Sequence, residues 1–188
     1  MLIRIIEDVK KCLDAKAYFA ALTLALTIPD ICGRAEFPNY KKKKRYINWY
    51  DRYNRFEPVP GRENIPHMSG NIVYDLRCQM LHIGNPGIED KTRINRFIIE
   101  YETNNEFIGG NSISARINTT NNEVIYCTYR FNLNSFCKSM CAVAEWYYSE
   151  NKVKFDFYDY ELVNRDEQEK HQLTKEQVDK AIKALTNK

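Results

Sequence analysis

The period at which apolar residues recur changes twice along this chain, and no other feature constrains the fold as tightly. From Leu2 to Ile83 they return every three or four positions, as one face of a helix requires. From Arg93 to Phe131 they alternate, and from Leu133 the helical spacing resumes. Such a pattern predicts a mainly α fold with a small antiparallel β-sheet inserted at about residues 93–131.

The first helical stripe is Leu2, Ile5, Ile6, Val9 and Leu13, over residues 2–14. Ala17 to Gly33 is rich in Ala and Leu and nearly free of charge, which predicts a second helix buried on several sides. Pro29 within it predicts a kink or an early end. A third helix is expected over Asn39 to Phe56, with Tyr46, Trp49, Tyr50, Tyr53 and Phe56 on one face, before a loop containing Pro58, Pro60, Gly61 and Pro66. Ser69 then stands as N-cap of a fourth helix, Gly70 to Ile83, which Gly84, Asn85, Pro86 and Gly87 stop.

Phe97, Ile98, Ile99 and Tyr101 suggest one strand. Ile113, Ala115 and Ile117 suggest a second, which Asn121-Asn122 turns back into a third over Val124 to Phe131. Leu133 to Tyr148 reads as helix. Beyond it, Val153, Phe155 and Phe157 alternate with charges and predict a strand over Lys152 to Leu162. Thr174 to Leu185, with Val178, Ile182 and Leu185 in register, predicts a closing amphipathic helix. The chain is expected to form a single domain over 1–188, with residues 151–188 as a strand and helix extension.

Composition limits what such a fold does. At 188 residues with 44% hydrophobic and 28% charged side chains, one ordinary core is expected and disordered or fibrous classes are excluded. The longest apolar run, Tyr18 to Pro29, is too short to span a bilayer, and the charged N-terminus lacks a signal-peptide pattern, so a cytoplasmic protein with no membrane partner is expected. The six cysteines, 12, 32, 78, 127, 137 and 141, lie in apolar periodic segments and read as free thiols. Cys137 and Cys141, and Cys78 and His82, are spaced to pair on a helix face. Without any Cys-x-x-Cys, however, neither a metal site nor a cofactor is expected.

The net charge is only +3, but its basic excess lies in the first half, concentrated in Lys41, Lys42, Lys43, Lys44 and Arg45. These five charges at a helix N-terminus oppose the helix dipole and make the run a candidate nucleic-acid contact; the alternative is a solvated helix start with its aromatics in the core.

In the fourth helix, Ile72, Val73, Leu76, Met80 and Ile83 form the core stripe, with Arg77 on its flank. His82 falls away from the stripe, close in angle to Asp75 and Cys78. It is either an exposed helix-end histidine or a functional one. Asp30 is either an internal partner for Arg77 or an exposed acid near a helix end. Cys78 beside His82 lacks the third group of a thiol nucleophile. His67 and His171 read as solvated side chains, and Gly109-Gly110-Asn111 reads as a turn, since no Lys-Ser/Thr follows it.

Tyr74-Asp-Leu-Arg77-Cys78-Gln-Met-Leu-His82, preceded by a helical hairpin and a Pro-rich loop, resembles the Arg-x4-6-His signature of the HEPN superfamily. The Ala20 to Gly33 segment is similar to the second helix of its uncharacterised bacterial members. The resemblance covers residues 1–90 and the helix at 133–148. It implies an antiparallel helical bundle that forms a homodimer and pairs two motifs in one cleft. It also implies a metal-independent endoribonuclease of a defence or toxin type, with RNA as substrate and a cognate antitoxin as a further partner; other members are non-catalytic binding modules. Arg77 would hold the scissile phosphate and His82 would move a proton, with Asp75, Cys78 and Asp30 in support. Active members usually place Asn, Asp or His directly after the arginine, where this chain has Cys78.

Overall fold

A computed structural model describes residues 1–54, 68–81, 96–103, 112–118 and 123–157, together with positions 175, 178, 179, 182 and 183. The loop at 57–66, the stop at 84–87, Gly109-Gly110-Asn111, the turn at 121–122 and all three histidines, His67, His82 and His171, lie outside the described residues.

Helix α1 (Leu2–Asp14) buries Leu2, Ile6 and Val9, one face of the expected stripe. Its end is a Schellman turn. Lys16 takes a positive φ of 58°, Ala17 N donates to Cys12 O at 2.8 Å and Lys16 N donates to Leu13 O at 3.0 Å.

The segment expected to be one helix over Ala17 to Gly33 is two, α2 (Tyr18–Ala25) and α3 (Ile28–Glu36). The chain breaks at Leu26 and Thr27, where Thr27 Oγ1 donates to Leu24 O at 2.7 Å. Pro29 therefore sits in the first turn of α3, where its missing N–H costs no helical bond. Helix α4 (Lys42–Tyr53) crosses α3 at Gly33, where a Cβ would stand 2.7 Å from Arg45 O. A side chain there would force the two helices apart. Tyr46, Trp49 and Tyr50 are fully buried, so these aromatics build the core. Helix α5 (Gly70–Leu81) docks on α4 in the same way: a Cβ on Gly70 would lie 2.7 Å from Ile47 O. Asp51 Oδ1 on α4 accepts from Gly70 N at 2.5 Å, which satisfies one free donor at the start of α5.

Strands β1 (Arg96–Glu100), β2 (Ser112–Asn118) and β3 (Glu123–Asn132) form a sheet in the order β1-β3-β2. The β2–β3 hairpin is antiparallel, with a register shift at Arg116/Ile117. The expectation of an antiparallel sheet fails at β1, which runs parallel to β3 from Arg96 opposite Thr128 to Glu100 opposite Asn132. Just past β1, Glu102 is held by the residues that start the next helix. Asn132 Nδ2 donates to Glu102 Oε1 at 2.9 Å and Asn134 Nδ2 to Glu102 O at 3.3 Å, so the two strands end side by side.

Helix α6 (Leu133–Glu150) is capped by Asn132, whose Oδ1 accepts from Ser135 N at 2.8 Å. It packs on α1, α2 and α3 through Leu133, Phe136, Cys137, Met140, Ala144 and Tyr147.

The strand expected over Lys152 to Leu162 is a single 3₁₀ turn at Lys152–Phe155, positions 158–162 lying outside the described residues. Lys154 Nζ binds Glu36 Oε2 at 2.6 Å, while the Phe155 ring packs edge-on against Tyr147 and Tyr148 at 5.9 and 5.0 Å. These contacts curl the segment back on α3 and α6 where a strand would extend away from them.

The described chain divides into two compact units, Met1–Asp156 and Phe157–Lys188. In the second, Lys175, Val178, Asp179, Ile182 and Lys183 are helical, in keeping with the spacing expected there. No helix among the described residues is long and apolar enough to cross a membrane.

Candidate functional site

Helix α5 buries Ile72, Val73 and Leu76 and leaves Tyr74, Asp75, Arg77, Cys78 and Met80 half-buried on the rest of its surface. Of the stripe read from the sequence, Ile72, Val73 and Leu76 form the core face with Arg77 on its flank, while Met80 is only half-buried and Ile83 lies outside the described residues. Close docking at Gly33 and Gly70 brings α3 and α5 against α4, and the functional candidates gather where the three helices meet.

Arg77 Nη2 pairs with Asp30 Oδ2 at 2.6 Å, with 20% and 24% of the two side chains exposed. Of the two alternatives open for Asp30, the internal partner is the one observed. It lies in the first turn of α3, where a carboxylate also suits the helix dipole. Burial raises the Asp30 pKa above the ordinary value, and Arg77, Arg45 and Lys42 pull it back only in part. Three cations therefore act on one half-buried carboxylate. Neither Arg77 Nε nor Arg45 Nε, both buried, has a hydrogen-bond partner among the described residues.

Tyr74 joins the cluster through its ring. Lys43 Nζ lies 5.4 Å and Arg77 Cζ 5.9 Å from the ring centre, and Tyr46 meets it edge-on at 5.2 Å. The Tyr46 hydroxyl donates to Leu26 O at 3.0 Å and fixes that floor. Burial pushes the Tyr74 pKa up, and the neighbouring Cys78 adds to the rise. Cys78, the departure from the resembled pattern, is thus an electrostatic neighbour of Tyr74.

Of the basic run, Lys41, Lys42, Lys43 and Lys44 are exposed and Arg45 is half-buried. The unfavourable charge at this helix start is relieved through Asp30 and through ring faces: Lys42 and Arg45 act on Asp30, Lys43 sits by Tyr74, and Lys44 Nζ stands 4.4 Å from the Tyr40 ring centre. Sequence reasoning named Arg77, Asp30 and the lysines but missed Tyr74. Its position four residues before Cys78 and three before Arg77 was the available signal.

Cys32, Cys137 and Cys141 are buried free thiols. Burial raises the first two well above the ordinary thiol value and the third to about 11, which keeps them protonated and poor metal ligands. Among the described residues no three His, Cys, Asp or Glu gather as a metal site would require.

No protein family, no curated protein and no solved structure matches the chain.

Proposed function

We propose that this chain is a HEPN-like helical module that acts on RNA as a metal-independent endoribonuclease of a defence or toxin type. The observation that carries the reading is the half-buried Arg77–Asp30 pair, set among Lys42, Lys43 and Arg45 so that cations outnumber the carboxylate. A surplus of guanidinium and ammonium groups in a partly desolvated setting suits a phosphodiester, whose charge grows during displacement. Arg77 holds that phosphate. The substrate 2′-oxygen attacks phosphorus, the bond to the 5′-oxygen breaks, and His82 takes the first proton or returns one to the leaving oxygen.

Cleavage then survives chelators and leaves cyclic phosphate ends. Loss of a general base typically costs about 10²- to 10⁴-fold, so His82→Ala is nearly inactive with unchanged stability. End-group analysis of cleaved RNA in EDTA, alongside His82→Ala, is the test. Activity lost with chelator, or unaffected in His82→Ala, removes the assignment.

A second reading, a non-catalytic HEPN-like module that binds RNA or protein, is favoured by Cys78. It stands where a polar residue usually follows the arginine, and it neighbours Tyr74, not a proton-moving group. RNA bound by the parent and left intact selects this reading.

A further inference from the structure

We propose that a ladder of cations and aromatic rings, running from the start of α4 across the end of α3 to α6, is a stacking track for single-stranded RNA. It begins at Lys44, over the Tyr40 ring at 4.4 Å. Tyr40 lies nearly parallel to Phe37, at 5.3 Å and 6°. The Arg52 guanidinium follows, 5.9 Å from the Phe37 ring centre and 5.8 Å from that of Tyr53, and Tyr53 reaches Trp146 at 6.0 Å. Each step is a contact between neighbouring groups, so the row is continuous although its members come from three parts of the chain.

Two features distinguish this row from core packing. Its ends are open: Tyr40 is 41% and Trp146 55% exposed, whereas Trp49 and Tyr147 beneath are fully buried. Single exposed aromatics are ordinary, but aromatics joined by cations at ring-contact distance form a surface with both stacking faces and positive charge. The row also carries positive charge. Glu36 accepts from Arg52 at 2.9 Å and from Lys154 at 2.6 Å, one carboxylate to two cations, and Lys44 adds a third.

Phosphates and stackable bases together are what a single strand offers. A duplex keeps its bases stacked on one another and presents only its backbone. The inference rests on RNA being the ligand proposed above, and it extends that reading outward from Arg77. Site and track meet at adjacent residues, since Lys43 stands over Tyr74 and Lys44 over Tyr40.

The test uses the full chain with a labelled 2′-O-methyl oligouridylate, which has no free 2′-hydroxyl to attack, and a duplex of equal length. Of the two tryptophans only Trp146 is exposed, so single strand is expected to quench its emission and duplex to leave it unchanged. Trp146→Ala and Tyr40→Ala should each weaken single-strand binding about 5- to 100-fold with an unaltered salt slope. Lys44→Gln should lower the slope by about 0.7. Trp146→Phe keeps an aromatic face and should restore affinity, which separates lost stacking from lost folding. If single strand binds without quenching, and both alanine variants bind as tightly as the parent, the track is overturned while RNA as ligand stands. If the parent binds no RNA, the track falls together with that reading.

Discussion

Lys16 is the described non-glycine residue held in the left-handed region, with φ at 58°. Its Cβ crowds the backbone there at a cost of roughly 1–2 kcal/mol, and glycine is the residue that Schellman turns prefer at this position. Lys16→Gly should therefore raise stability by about 0.5–1 kcal/mol, a rise of about 1–4 °C in Tm by calorimetry, with no change in RNA binding. An unchanged or lower Tm would show that the gain in unfolded-chain entropy outweighs the relief of strain. The same local reasoning explains Asp30 and Arg77. Burial disfavours the Asp30 charge and the arginine offsets that in part, so neither residue is an independent surface group.

At the scale of elements, Glu36 ties four segments together. It accepts from Arg52 and Tyr53 of α4, from Tyr147 of α6 and from Lys154 of the 3₁₀ turn, at 2.9, 3.1, 2.8 and 2.6 Å. Burial alone would push its carboxyl up, but the hydrogen bonds from Lys154, Tyr147 and Tyr53 outweigh burial and hold it below the ordinary value. A carboxylate with a lowered folded pKa stabilises above its unfolded pKa and loses that contribution as pH falls through the folded one. Glu36→Gln should thus cost about 1–3 kcal/mol at neutral pH, and the gap to the parent should narrow below about pH 4. Urea titrations at pH 7 and pH 3.5 measure both; a gap that does not narrow would place the loss in packing. Glu36 also shows where the sequence stops being legible. The periods placed α1, α4, α5, α6 and the β2–β3 hairpin, because each is decided by its own alternation of apolar and polar residues. The direction of β1 is decided by Glu102 meeting Asn132 and Asn134, and the curl at Lys152–Phe155 by Glu36, over a hundred positions away, so no local pattern carries either. The site divides in the same way. Arg77, Asp30 and the lysine run could be named from residue type and spacing, but the Tyr74 contacts needed the docking of α5 on α4 at Gly70, and the cation–aromatic row needed the crossing of α3 and α4 at Gly33.

For the whole molecule, the proposed chemistry bears on assembly. An in-line displacement by a 2′-oxygen needs one group to accept a proton and another to return one. Among the described groups beside Arg77, Asp30 is held in an ion pair and Tyr74 carries a pKa raised by burial, so neither is suited to moving protons near neutral pH. The chain has only three histidines, of which the motif supplies one, His82. A second copy would supply the missing group, and closed two-fold dimers are the commonest oligomers. The face of α5 that carries Asp75 and Cys78, and with them His82 in the sequence, is the surface proposed for this pairing, and the mixed-polarity character of the half-buried Asp75 and Cys78 suits an interface that opens around a substrate. The expected outcome is a particle of twice 22.2 kDa by light scattering at micromolar concentration, with activity per chain falling on dilution as pairs separate. A mass of 22.2 kDa at every concentration, with activity per chain constant, would remove the dimer and leave a single histidine to act alone.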